Sequence, residues 1–308
     1  MSNSIATAEV ERRSKVVSLQ QAAGLVANGM RIGLGGFAIY QRPMAFVREL
    51  IRQRRKDLTV VGVTNSIEAD MLIAAGTCSR LETSYMGFEK FGLAPAFRRA
   101  CEKHGFDAVD YPELLAWDRF RADQEGLQFW PASGLGGTSL VELNPDIKAF
   151  DCPLTGKPLH ALPATRLDIA VIHAAAADKY GNVIVPGFHN LPQSFDVTLS
   201  RSCRKLVVTA ERIVSDNFLQ RHARLVQIPA ARVHAVVEVP FGAHPTSMLG
   251  RYLDDDTHWA QYIGAAKTEE GVAEYLKANV FDLASHDDYL DRIGGARLAS
   301  LLQVDLQQ

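Results

Sequence analysis

Short apolar runs alternate with amphipathic helical stretches along most of this chain, and the first crossing between them constrains the fold most. Residues 30–34 form an apolar run broken only by Arg31 and lead through Gly33-Leu34-Gly35-Gly36-Phe37, after which Arg42-Pro43-Met44-Ala45-Phe46-Val47-Arg48 reads as a helix start. Glycine lacks Cβ and tolerates positive φ, so three glycines at a strand-to-helix crossing let the backbone approach a ligand closely. An anion or oxyanion is the natural guest, because loop N–H groups and the positive end of the next helix dipole point at it. The spacing is G-x-G-G, with Ala38 where a dinucleotide fingerprint has its last glycine, and the Lys-Ser/Thr of a P-loop is absent. Plain turn chemistry is the competing reading of the same residues.

The rest of the chain repeats the crossing. Ser18 with Gln21 forms a capping box for a helix ending near Asn28-Gly29. Strands are expected at 58–63, 81–86 and 108–111, between helices at 43–54, 67–75, 95–104 and from Glu113 onward, with Gly76 closing one of them in the left-handed conformation. Residues 167–174 form a nearly unbroken apolar run suited to a central strand. A turn at Asp178-Lys179-Tyr180-Gly181-Asn182, strands at 183–185, 206–209 and 233–239, and helices at 257–265, 269–278 and 287–302 follow, the last broken by Gly294-Gly295. Residues 131–163 are rich in Gly and Pro and read as a long loop over one edge. Such alternation predicts an α/β fold, an open, mainly parallel sheet flanked by helices. The organisation is an N-terminal extension at 1–17 and one domain at 18–308 with a helical C-terminal part.

Composition removes several functional classes. A net charge of -2 over 308 residues offers nucleic acid or an anionic membrane no general attraction. The local run Arg48, Arg52, Arg54, Arg55, Lys56 has no interleaved aromatic platform and reads as a solvated helix end. The first residues lack the apolar core of a signal peptide, and no apolar run reaches membrane-spanning length, so a cytoplasmic protein is expected. The four cysteines lie far apart, which argues against a zinc site or a disulfide framework. None of the nine histidines forms an H-x-x-x-H pair, and neither a metal nor a resident cofactor is expected.

Several segments in a fixed order resemble the α subunit of class I coenzyme A transferases, most closely the glutaconate CoA-transferase branch. Besides the glycine loop and the helix start after it, they are Ala69-Asp70-Met71-Leu72-Ile73-Ala74-Ala75-Gly76, Gly87-Phe88-Glu89 and Leu93-Ala94-Pro95-Ala96-Phe97-Arg98-Arg99-Ala100. Ser133-Gly134-Leu135-Gly136, Ala177-Asp178-Lys179-Tyr180-Gly181-Asn182-Val183 and Gly242-Ala243-His244-Pro245 continue the series. The resemblance implies an open α/β sheet, a β subunit of the same fold as partner in a hetero-oligomer, and transfer of CoA between carboxylic acids, with CoA esters as substrates. It further implies that a glutamate carboxylate attacks the thioester, giving an anhydride and then an enzyme-bound CoA thioester. The family usually carries that glutamate in a Glu-Asn-Gly-like motif of the β subunit, and this chain has no such tripeptide. Gly35, Gly36 and Phe37 are then the expected oxyanion and substrate-binding residues.

Glu113 is the candidate catalytic residue of the chain itself. It opens a helix just after a short strand, at the end of a parallel sheet where ligands gather. In a related branch, the heterodimeric hydrolases that open a steroid-derived ring as its CoA ester, the segment that looks equivalent carries a catalytic glutamate; an acidic first-turn residue favoured by the helix dipole is the alternative. His173 and His244 read as hydrogen-bonded structural histidines, Asp178 and Asn182 as turn formers, and Glu211 either as a group near the ligand face or as a solvated one. Three functions follow: the α chain of a transferase, a hydrolase-like subunit using Glu113, or a ligand-sensing or scaffold protein on the same fold. A valine at Gly36 is expected to stop turnover while sparing the fold.

Overall fold

A computed structural model of the chain describes residues 13–103, 105–135, 137–186 and 191–302. Residues 1–12 of the expected extension, His104 and Gly136 of the segments named above, and residues 303–308 lie outside the described residues. The main sheet contains β1 (Arg31–Leu34), β2 (Leu58–Val61), β3 (Cys78–Thr83), β4 (Asp107–Asp110), β5 (Leu167–Ala174), β6 (Cys203–Ala210) and β7 (Ala235–Glu238). All seven are parallel, in the order β7-β6-β5-β1-β2-β3-β4. The chain winds outward from β1 to β4, crosses back, and winds the other way from β5 to β7. Neighbours β1 and β5 therefore flank the switch point, outside whose carboxyl ends open α/β sheets bind ligands.

Alternation along each strand divides the interior into two cores. Ile32, Leu34, Val60, Ile169, Val171 and Val207 face a core built with helices Met44–Arg52, Ile67–Ala74, Asp256–Ala265 and Glu269–Leu276. Val61, Ala170, Ile172, Leu206 and Val208 face the opposite core, under helices Glu113–Gln124 and Leu191–Arg201. Gly33 points to this second face, where a Cβ would stand 2.6 Å from Leu199 Cδ1 and 2.7 Å from Leu167 Cδ1. Its missing side chain sets how closely helix Leu191–Arg201 packs.

The structure corrects several expectations. The first helix keeps its Ser18–Gln21 capping box but spans only Leu19–Ala23. Residues 131–163 are not one loop: Phe129–Ala132, Lys148–Asp151 and Pro158–Pro163 make a small antiparallel sheet. It is tied to the β4 edge by Asn144 Nδ2 donating to Asp110 O at 2.8 Å. Within the expected extension, residues 13–17 run along β7, where Val17 N donates to Val236 O and Val236 N donates to Lys15 O, each at 2.9 Å. The basic run is not wholly solvated either. Arg48 is buried, donates to His244 O at 3.0 Å and lies 3.7 Å over the Tyr289 ring, while Arg52 Nε donates to Leu283 O at 2.9 Å. Both arginines pin the C-terminal helices to helix Met44–Arg52, work that cannot be read from a charge run. No helix among the described residues is long and apolar enough to cross a membrane.

Glu82, buried near the end of β3, ties the second face together. It pairs with Arg31 of β1 at 2.9 Å, with Arg80 at 2.9 Å and with the buried Arg119 of helix Glu113–Gln124 at 2.7 Å. Burial alone would raise its carboxyl, but the bonds from Arg31 and the charge of Arg119 outweigh it and hold the group at about 2. Glu82→Gln leaves buried Arg119 without its carboxylate and is expected to cost roughly 3 kcal/mol in urea unfolding at pH 7. Because the folded-state value is depressed, Glu82 stabilises the fold above the ordinary glutamate value of 4.5 and loses that contribution as pH falls towards 2. The gap between parent and variant should therefore narrow below pH 4.5, and a pH-independent gap would contradict the assignment.

Candidate functional site

The glycine loop leaves β1 at the switch point and is held from three sides. Gly35 N donates to Val171 O of β5 at 2.7 Å, Gly36 N to Asp196 Oδ1 of helix Leu191–Arg201 at 2.7 Å, and Phe37 N to Tyr40 O at 3.0 Å. All three N–H groups expected to meet an oxyanion are thus engaged within the chain. The space above the glycines is also taken by the protein. A Cβ on Gly35 would lie 2.4 Å from Asp196 Oδ1, and one on Gly36, where φ is +79°, 2.3 Å from Tyr40 O. The close approach that glycine permits is here an approach of the chain to itself. Ala38 and Gln41 also adopt left-handed φ, at 49° and 57°, a cost for residues with side chains that the surrounding bonds must cover.

Most of those bonds come from Arg42, which is fully buried. Its Nε donates to Ala38 O at 2.8 Å, its Nη1 to Gly35 O at 3.2 Å and its Nη2 to Thr64 O. Glu68 Oε2 lies 3.2 Å from the guanidinium, and Glu68 in turn accepts from Asn65 Nδ2 at 3.1 Å and Ser66 N at 3.0 Å. Burial lowers the Arg42 value, and the charges of Glu68 and then Asp196 oppose it. Asp196 has the reverse history. Burial pushes its carboxyl up to about 7 despite the Gly36 N–H and the nearby Arg42, and its Oδ2 has no partner among the described residues. Sequence reading missed Arg42, Glu68 and Asp196. Arg42 looked like the lead-in to a helix, and nothing local marks Asp196, which reaches a loop 160 residues earlier.

Phe37 is buried in the second core. Its ring lies 6.0 Å from Trp117 and 6.5 Å from Phe195, and those two are 5.6 Å apart. Glu113 sits four residues before Trp117 in helix Glu113–Gln124, hence on the same helix side. It is exposed and makes no side-chain hydrogen bond among the described residues. Glu89, within a segment noted in the sequence but assigned no role there, is a second exposed carboxyl. It has φ of 47°, and its value is raised by burial against the pull of Arg42.

The remaining candidates are structural or lie further along the sheet edge. His173 is buried, with Nδ1 2.9 Å from Thr209 Oγ1 and Nε2 2.7 Å from Glu211 Oε1. Glu211 also accepts from Tyr252 Oη at 2.7 Å and Phe241 N at 3.0 Å. Burial would raise Glu211, but its bonds with His173, Tyr252 and Phe241 hold it below the ordinary range. It is buried at the end of β6, not solvated. His244 is buried between Tyr289 Oη at 2.8 Å and Asp255 Oδ2 at 3.1 Å. Asp178 Oδ1 accepts from Tyr180 N and Asn182 N, both at 2.9 Å, a self-contained turn.

The family described as Coenzyme A transferase matches residues 16–239. A glutaconate CoA-transferase subunit of Acidaminococcus fermentans is 32% identical over 94% of this chain and 94% of that protein. The crystal structure of glutaconate coenzyme A-transferase from the same organism superposes with a TM-score of 0.90, covering 95% of this chain and 96% of that one. A longer uncharacterized protein of Archaeoglobus fulgidus is 35% identical over 96% of this chain, which spans 66% of its length. The cholesterol ring-cleaving hydrolase IpdA subunit of Rhodococcus jostii is 31% identical over 91% of this chain and 96% of that protein.

Two outcomes test the site. Gly36→Val should collapse the thermal midpoint, because the collision is with backbone; this reverses the expectation that the fold would be spared, and an unchanged midpoint would return the glycine to a purely functional role. For Asp196 the folded-state value is raised from 3.8 to about 7, so the folded protein holds an extra proton between those values. The stability this contributes is present below pH 4 and lost as pH rises through 7. In urea unfolding at pH 5, 6, 7 and 8, Asp196→Asn should lack that part of the decline, and parallel pH curves for parent and variant would contradict it.

Proposed function

The chain belongs to the coenzyme A transferase family, and from that premise we propose that it is the α subunit of a heteromeric acyl-CoA:carboxylate CoA-transferase whose site is completed by a β subunit of the same fold. The observation that carries this reading is the braced glycine loop at the β1–β5 switch point in a chain without a Glu-Asn-Gly-like segment. In this reading a partner glutamate attacks the thioester carbonyl of an acyl-CoA and the CoA thiolate leaves, forming a mixed anhydride. The thiolate then attacks the glutamyl carbonyl, releases the carboxylic acid and leaves CoA on the enzyme as a thioester. Attack by the acceptor acid and return of the thiolate complete the exchange.

The loop's part is to shape the site. With the N–H groups of Gly35, Gly36 and Phe37 engaged, it contributes a rigid wall and the Phe37 ring against which an acyl group rests. Rigidity has catalytic value, because a donor or wall already in place needs no reorganisation when charge develops. A second reading, supported by the exposed position of Glu113 on the helix side that carries Trp117, makes this a hydrolase-like subunit in which Glu113 is the reacting carboxylate or base.

Reconstituted with its partner, the protein should form a new CoA ester from an added acceptor acid, while the chain alone should neither transfer nor hydrolyse. Glu113→Gln is expected to lower turnover only a few-fold. Borohydride reduction or peptide mapping after incubation with acyl-CoA should place the modified glutamate on the partner. Loss of activity by several orders of magnitude, together with the label on Glu113, would transfer the catalytic role to this chain and favour the hydrolase reading.

A further inference from the structure

A cavity of about 510 Å³ opens at the carboxyl ends of β6 and β7, lined among others by Glu211, Arg212, Glu238, Phe241, Arg251 and Tyr252. Its two cations come from different segments. Arg212 follows Glu211 beyond the end of β6, and Arg251 follows the turn that leads away from β7. Neither guanidinium makes an ion pair or side-chain hydrogen bond among the described residues. The cavity's acids are already occupied to different degrees. Glu211 turns its oxygens inward to His173, Tyr252 and the Phe241 N–H, and Glu238 Oε1 accepts from Ile213 N at 2.9 Å. What remains open is two planar five-donor forks on one cavity, beside a wall formed by the Phe241 and Tyr252 rings with centroids 4.8 Å apart.

We propose that this cavity is an anion subsite in which Arg212 and Arg251 hold a phosphate group of the CoA ester. Guanidinium forks match phosphate oxygens bidentately, and two from separate segments can grip one phosphate from two sides. The proposal rests on the CoA-transferase reading for its ligand, and the sheet gives the distance. From β1, where the loop stands, to β7 are three strand spacings of about 4.8 Å, roughly 15 Å along the carboxyl edge. The long arm of coenzyme A separates its sulfur from its phosphates, so a thioester at the glycine loop leaves the phosphates further along this edge. A chain of bonds links the two places: Tyr252 Oη donates to Glu211 and accepts from Ala243 N, Thr246 Oγ1 donates to Ala243 O, and Arg42 N donates to Thr246 Oγ1.

The test is calorimetric titration of the full chain and its Arg212→Gln/Arg251→Gln variant with CoA, adenosine 3′,5′-bisphosphate, pantetheine and inorganic pyrophosphate. The parent should bind CoA and the bisphosphate, and the variant should bind both about tenfold or more weakly. Pantetheine, which lacks phosphate, should bind both proteins alike. An Arg212→Lys/Arg251→Lys variant keeps the charge and should recover part of the affinity, which separates lost contact from lost fold. Equal CoA binding by parent and glutamine variant would overturn the subsite and leave the transferase reading standing. If the bisphosphate and pyrophosphate bind through the two arginines but CoA binds no better than pyrophosphate, the anion subsite holds and the CoA assignment fails. No phosphate binding by the parent overturns the proposal.

Discussion

A guanidinium buried at Arg42 is the contact on which the candidate site depends. A charge taken out of water is costly unless its donors are used and an opposite charge lies near. Arg42 meets both conditions by gathering carbonyls from Gly35, Ala38 and Thr64 around itself and pairing with Glu68. The loops after β1 and β2 are therefore joined through one side chain, and the start of helix Ile67–Ala74 is joined to them through Glu68. The Arg42 N–H also donates to Thr246 Oγ1 at 3.2 Å, which brings in the turn after β7. Loss of the cation would leave three carbonyls and a buried carboxylate to find other partners together.

Asp196 completes the enclosure from the second face. It crosses under the loop from helix Leu191–Arg201, and the room it needs is the room that Gly35 leaves. The glycines are consequently explained twice. Gly36 supplies a left-handed turn that packs against Tyr40 and Gln41, and Gly35 admits a carboxylate. Left-handed Ala38 and Gln41 persist because the bonds around them over-determine the loop. A loop so constrained presents one shape at the switch point, which suits a wall better than a moving lid.

The fold was legible in the sequence because alternation is a local property. Short apolar runs such as 167–174 and their helical neighbours carry their own signature, and β5 has the predicted bounds. Local signals also placed the capping box at Ser18 and the left-handed Gly76. Legibility failed where pairing over long sequence distance decides. The antiparallel sheet at residues 129–163 is built from short strands separated by Gly- and Pro-containing connections, and their pairing cannot be seen along the chain. In the site the same limit applies. Glu113 and the glycine loop stand out in the sequence because each sits at an element boundary. Asp196 lies inside a helix, and Arg48 within a basic run, so nothing in their neighbours distinguishes a buried partner from a solvated charge.

The distribution of satisfied and open groups argues for a site shared between chains. Between β1 and β5 the backbone donors are spent, the cation is paired and the loop is closed on itself. Two exposed acids near it, Glu113 beside Trp117 and Glu89 near Arg42, make no side-chain hydrogen bond among the described residues. Leu114, next to Glu113, is 69% exposed, and Leu93 beyond Glu89 is 68% exposed. Removing exposed apolar side chains from water favours association, whereas covering a carboxylate costs hydration that the partner must replace. On the proposed reading a second subunit covers them and, by excluding water, strengthens every electrostatic interaction at the mouth. A carboxylate nucleophile needs that change, because hydration weakens it in the open. On that reading the interior of this chain supplies rigidity, and the desolvation that the chemistry needs comes from the partner's cover.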